Sequence, residues 1–241
     1  AKEVYLDISL KENVRELSEV VIRPQINKEQ PLNKMAVTGA RMLSVEEASR
    51  YAGGLDDPAR LVSSFAGVAA NLSSNGISIH GNAPHLLQWR MEDVEIPNPN
   101  HFADISILGG GVLSSLSSQV LGNSDFFTGA FPAEYGNAVS GVFDMKLRNG
   151  NNRKMENTLQ AGILGLDIAS EGPLSKKHQA SYIFNYRYST TGLLNRIYPG
   201  LDMGGTLDYQ DLNFKLNFPT RKAGTFSVWG TSLIDKYEGD F

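Results

Sequence analysis

The sequence predicts an α+β chain: a small mixed-sheet unit with short helices, then antiparallel β-strands of an incomplete transmembrane β-barrel. Three observations carry this. Helix start and stop signals recur at short intervals across residues 44–67. Residues 122–152, GNSDFFTGAFPAEYGNAVSGVFDMKLRNGNN, read as two strands joined by a glycine-rich turn. From Lys154 the hydrophobic period becomes two and stays so to the end.

Val4, Leu6 and Ile8 share one parity and predict a short N-terminal strand. Leu17-Ser18-Glu19-Val20-Val21-Ile22 is a compact extended segment closed by Arg23-Pro24. Its pattern alone reads as an ordinary edge strand. Residues 24–32 have linker composition. Ser44-Val45-Glu46-Glu47 is a capping box, and the helix it opens stops at Gly53-Gly54. Asp57 is an N-cap with Pro58 in the first turn. Leu61, Val62 and Phe65 form that helix's apolar face, and Gly67 ends it.

Ile77 to His80 is expected as a strand broken by Gly81-Asn82-Ala83-Pro84. Leu87 to Met91 and Val94 to Ile96 follow, with a turn at Glu92-Asp93, forming a hairpin. Asn98 to Phe102 is a loop. Gly109-Gly110-Gly111 leads into a short helix over residues 112–120, from the spacing of Leu113, Leu116 and Val120. Ser124 to Phe127 is a strand, ended by Gly129 and Pro132. In residues 142–148, Phe143, Met145 and Leu147 lie opposite Asp144, Lys146 and Arg148.

The clearest alternation is in residues 178–188. Ala180, Tyr182, Phe184, Tyr186 and Tyr188 share one face; Gln179, Ser181, Asn185 and Arg187 share the other, with Ile183 the exception. Leu212, Phe214, Leu216 and Phe218 against Asp211, Asn213, Lys215 and Asn217 repeat it. One apolar, aromatic-rich face and one polar face suit a membrane barrel wall. Residues 172–177 and 219–224 are expected as short turns and residues 191–205 as a long loop, the asymmetry of such barrels. The phase slip at Gly162-Ile163-Leu164-Gly165 is a tight turn, giving about five strands, or a bulge, giving about four. A soluble sheet covered on one face is the alternative for this region. About five strands cannot close a barrel, for which about eight is the minimum. The chain is therefore expected to be a fragment whose free edge pairs with another copy or is disordered.

The chain has 241 residues, 41% hydrophobic and 20% charged, with net charge −4. This is ordinary globular composition, and the mild acidity gives no electrostatic case for nucleic acid. The absence of cysteine removes disulfides, thiolate metal sites and cysteine nucleophiles. The four histidines, His80, His85, His101 and His178, have no carboxylate at metal-ligand spacing. No hydrolase, zincin or nucleotide-loop motif occurs, so neither an enzyme nor a cofactor site is expected. No apolar run approaches the roughly 18 to 20 residues of a membrane-spanning helix.

Three phrases in order, NGISIHGNAPHLLQW, FFTGAFPAEYGNAVSGVFDMKLRNGNN and EGPLSKKHQASYIFNYRYST, resemble TonB-dependent outer-membrane receptors of the Bacteroidetes type. The resemblance runs from about Leu17 to the end. It implies an N-terminal extension (1–43), a plug domain (44–152) and the first four to five barrel strands (153–241). It also implies that Glu19, Val20, Val21 and Ile22 form the TonB box, an extended peptide that adds to a partner sheet by β-augmentation. The implied function is ligand-gated, TonB-energised nutrient uptake at the cell outer membrane. Its implied partners are the TonB C-terminal domain of the inner-membrane motor complex, outer-membrane lipid and a surface lipoprotein. The nutrient would be an oligosaccharide, a peptide or a metal chelate. Ligand-side plug loops would carry Asn82, His85, Asn98, Asn100 and His101, while Gly129, Pro132, Glu134, Tyr135, Gly136 and Gly141 would serve the fold. The chain departs from the family pattern at His80, where arginine is usual, and at Met91-Glu92-Asp93, where Leu-Asp-Gly is usual. The alternative function is a soluble carbohydrate- or protein-binding module that uses Trp89 and the tyrosine faces.

Overall fold

The computed structural model describes residues 30–50, 57–70, 74–105, 110–162, 165–175, 177–189 and 206–238. In chain order these form β1 (Ala40–Leu43), α1 (Val45–Arg50), α2 (Pro58–Leu61), β2 (Val68–Ala70), β3 (Ile77–Ile79), β4 (Leu87–Met91) and β5 (Val94–Ile96). There follow β6 (Asn100–His101), β7 (Leu113–Ser114), β8 (Ser124–Phe127), β9 (Gly141–Met145), β10 (Glu156–Ala161), β11 (Gly165–Ser175), β12 (Ala180–Ser189), β13 (Thr206–Pro219) and β14 (Thr225–Glu238). The described α-helices are only six and four residues long, so strand dominates the α+β class the sequence suggested.

Local chemistry explains the first unit. Asp57 caps α2, its carboxylate accepting the Ala59 N–H at 2.9 Å, with Pro58 at the helix start. Leu61, Val62 and Phe65 bury together, and the chain leaves through Gly67 at φ +80°. Five strands form a mixed sheet in the order β1-β8-β9-β4-β5, with β4 and β9 parallel. All of β9 is buried, because its two faces serve different clusters. Phe143 and Met145 join Leu43, Ile79, Met91 and Phe126 in the main core. Val142 joins Phe127 and Tyr135 on the other side. Gly141 has no room for a side chain: a Cβ there would lie 2.1 Å from Ile79 Cδ1 and 2.7 Å from the Phe127 carbonyl.

Strands β10 to β14 form a second sheet, a purely antiparallel meander. Gly162 N–H donates to the Gly165 carbonyl at 2.9 Å between two paired strands, so the described residues of this region form five strands. Burial along β11 to β13 is inverted relative to an ordinary soluble sheet, as are the exposed apolar residues of β14, while β10 is largely exposed on both faces. The polar rows lie inside, with Asn185 and Asn213 at 0% and 1% exposure, while Phe226 and Ile234 stand out at 58% and 63%. Phe214 lies over Gly230, its cross-strand partner, filling the place of the missing side chain. Ile183, the apolar exception on the polar face, enters the first sheet's core, where Trp229 also packs.

Three expectations are corrected. Residues 112–120 are not helical: β7 pairs with β6, and turns follow. The serines there bond locally, as Ser117 Oγ does in accepting the Gln119 N–H at 3.2 Å, and Asp57 captures the Ser114 N–H at 2.8 Å, which leaves no helical ladder. Strand β3 pairs with β2, and the expected hairpin of β4 and β5 forms about Glu92-Asp93. The strand after Gly165 continues through Ser175, because a register irregularity at Pro173 absorbs the residue without an N–H. Lys146 and Arg148 lie beyond the end of β9, which stops at Met145. The expected N-terminal strand and residues 191–205 lie outside the described residues.

Candidate functional site

The two sheets meet along a seam of buried polar groups. At one end Glu92, in the β4–β5 turn, receives Lys215 Nζ at 2.9 and 3.0 Å. Lys215 also donates to the Leu147 carbonyl at 2.8 Å, and the Leu147 N–H donates to Glu92 at 2.7 Å. Glu92 and Asp93 both hold positive φ, 50° and 69°, so the turn is tight and aims Glu92 at the second sheet. Nearby, Arg148 grips Glu171 through two parallel bonds of 2.8 Å. In the middle, Asn213 Nδ2 donates to the Ser115 carbonyl at 2.7 Å.

At the other end His101 is fully buried on β6. Its Nε2 lies 3.1 Å from Asp211 and its Nδ1 3.5 Å from Asp235. Arg187 bonds Asp211 at 2.8 Å and also reaches the Ser114 carbonyl. Phe102 N–H donates to Asp235 at 2.7 Å. Gly111, at φ +64°, lets the chain pass: a Cβ there would sit 2.5 Å from Asn100 Cβ.

Beside this end lies a cleft of about 390 Å³ between the residue 97–104 loop and β14, walled by Asn98, Asn100, Phe102, Asp104, Asp235 and Tyr237. The structure thus brings together two of the expected ligand-side residues, Asn98 and Asn100. Asn100 is itself buried and accepts from Asn75 at 3.0 Å. His101, next in sequence, turns to β13 and away from solvent. Asn82 and His85 line no part of this cleft. Asn82 Nδ2 bonds its own loop, donating to the Ile79 carbonyl at 3.0 Å, and His85 is exposed.

Glu19, Val20, Val21 and Ile22 lie outside the described residues. The chain that follows them is fastened where the description begins. Leu32 and Asn33 N–H groups donate to the two oxygens of Asp125 at 2.9 and 2.7 Å. Asn33 also bonds Tyr135 Oη at 3.0 Å, and Tyr135 donates to Asp144 at 2.8 Å. Burial raises the Asp125 carboxyl above its ordinary range, against the pull of the two N–H groups. Burial likewise raises the Tyr135 phenol, with Asp144 adding to it. Burial opposes the charge of Lys146, but Asp93 and Asp144 outweigh it and its pKa is raised. Among the described residues no group of three or more acidic, histidine or cysteine side chains is placed to hold a metal ion.

Sequence reasoning missed Glu92, Lys215, Arg148, Glu171 and Asp125 as one fastening system. The available signal was the set of charged residues, Glu171, Arg187, Asp211 and Lys215, on the inward rows of strands whose other face is apolar.

Neither a family model nor a curated relative matches the sequence. Solved structures do match in fold. The siderophore receptor PirA from Acinetobacter baumannii superposes with a TM-score of 0.57 at 15% identity, over 83% of this chain and 32% of that one. The ferric enterobactin receptor PfeA, solved in complex with BCV-L6, gives 0.53 at 15%, over 84% and 34%. The outer membrane transporter YddB from Escherichia coli gives 0.51 at 15%, over 81% and 33%. At these identities the likeness is one of fold: this chain spans about a third of the length of each and shares the architecture of that part. The neighbours are receptors and transporters, not enzymes. No helix among the described residues is long and apolar enough to cross a membrane, which says nothing of strands.

Proposed function

We propose that the chain is the plug and opening barrel strands of an outer-membrane receptor that imports a nutrient with energy delivered through TonB. The carrying observation is the inverted burial of β11 to β13. Apolar side chains face outward and polar ones face a separately folded sheet, as a lipid-embedded wall around a plug requires. A soluble sheet would bury the opposite face, so the soluble binding module is not favoured. The receptor fold of the neighbours supports the same reading.

In this mechanism the first sheet blocks the lumen, and the seam holds it there. Ligand meets the plug loops near the cleft of Asn98 and Asn100, at the end where β12 stops and β13 begins, with Asn82 and His85 as further candidates. TonB pairs with Glu19 to Ile22 by β-augmentation. Its pull reaches the plug first at Leu32 and Asn33, where Asp125 holds the chain to β8. A surface lipoprotein would deliver the nutrient, and Bacteroidetes remains the proposed lineage.

The test uses the receptor that carries this chain and a titration of purified TonB C-terminal domain. Binding is expected, and deleting residues 17–22 should abolish it. Unchanged affinity after the deletion would remove the TonB-box assignment.

A further inference from the structure

The two short turns of the second sheet build a site that the transport mechanism does not use. A cleft of about 950 Å³ opens between the β11–β12 turn and the β13–β14 turn. Lys177, His178 and Arg221 line it, and none of its lining residues is acidic. All three are exposed, and no carboxylate pairs with them among the described residues. The turn that carries Arg221 is shaped by its own bonds: Thr220 Oγ1 donates to the Gly224 carbonyl at 2.6 Å and accepts the Ala223 N–H at 3.0 Å. Beside these cations stand Leu174 and Phe218, 49% and 37% exposed. Phe218 ends the outward row of Leu212, Phe214 and Leu216 on β13, so the apolar wall face runs directly into the basic cleft.

A cleft lined by exposed cations with exposed hydrocarbon beside them suits a ligand with an anionic head and an apolar tail. We propose that it binds the phosphate headgroup of an anionic phospholipid from the leaflet that meets the short turns. Lys177 and Arg221 contact the phosphate, and an acyl chain lies along Leu174 and Phe218. Arginine suits the role because its planar fork matches phosphate oxygens. The assignment rests on the membrane-wall reading above. It adds a lipid that fixes the depth of the wall in the bilayer.

The experiment is native mass spectrometry of the receptor carrying this chain, released from bilayers that mix phosphatidylglycerol with phosphatidylcholine. Wild-type protein is expected to retain phosphatidylglycerol. The double variant K177Q/R221Q should retain at least about tenfold less, since each cation near an anionic surface contributes measurably. Excess inorganic phosphate should not displace the lipid. Equal retention by wild type and variant overturns the site. Full displacement by inorganic phosphate would make it a soluble-anion site and overturn the lipid assignment. Heat-modifiable gel mobility, read on both proteins, reports the folded barrel. Its absence in wild type would overturn the wall reading and the lipid site together, while its presence without lipid retention would overturn the lipid site alone.

Discussion

Lys215 sits on the inward row of β13 with its side chain 10% exposed, and Glu92, 14% exposed, is its counter-ion. Neither charge belongs in so dry a place alone. Pairing offsets their desolvation, and breaking a buried pair by removing one partner costs about 3 to 5 kcal/mol. Here Glu92 also takes the Leu147 N–H, so its loss leaves two donors short of an acceptor. E92Q and K215M are each expected to lower the unfolding free energy by about 3 kcal/mol. The double variant should cost less than their sum, with a coupling of about 2 kcal/mol. Urea unfolding in detergent micelles, followed by the fluorescence of Trp89 and Trp229, measures the cycle. Strict additivity would mean that the two side chains do not depend on each other.

Elements were legible where one periodicity governed them. The alternation over residues 206–218 gave β13 and its faces, because a strand with two chemically distinct surroundings must write period two into its sequence. The capped start of α2 was legible for the same local reason. Residues 112–120 were not. Leu113, Leu116 and Val120 have helical spacing, yet Leu113 packs near Phe102 and Tyr209 while Leu116 and Val120 enter the main core. Two burial sites on one irregular segment imitate one helix face. The fastening of the segment before β1 was illegible for another reason: Asp125 meets Leu32 and Asn33 across more than ninety positions, through backbone groups that no side-chain pattern records. The close passage of residue 150 past β12 is of the same kind. A Cβ on Gly150 would fall 1.9 Å from the Tyr182 carbonyl oxygen and 2.5 Å from its carbon. Strand backbone cannot give way, so G150A should lower the thermal midpoint with a cost of about 2 kcal/mol or more. G230A, which meets only the end of the Phe214 ring at 2.7 Å, should cost less, because that outward ring can swing aside. Equal midpoints for the two variants would contradict this account.

At the scale of the whole molecule, the question is what the outward face of the second sheet touches. Water and lipid make different demands on one substitution placed at different heights. Leu212 lies mid-strand on β13 and Phe218 near its end, and both are 37% exposed. If the face meets water, arginine at either position changes little, within about 0.5 kcal/mol, as for surface substitutions generally. If it meets lipid, the cost depends on depth. Arginine at the bilayer midplane costs about 2 to 4 kcal/mol, and near the interface about 0 to 1 kcal/mol, where the side chain reaches the headgroups. L212R should therefore sharply reduce the fraction of receptor that folds into vesicles, while F218R folds nearly as wild type. Heat-modifiable gel mobility after refolding gives that fraction directly. A gradient between the two sites is a property of a bilayer and not of a sheet, so finding none would turn this face toward water or another protein surface. The inward rows must be judged with it: Asp211 and Asn213 are buried against His101 on β6 and the Ser115 carbonyl that follows β7. Under the proposed membrane reading the polar row needs the first unit and the apolar row needs lipid, and β13 carries both demands in alternate residues.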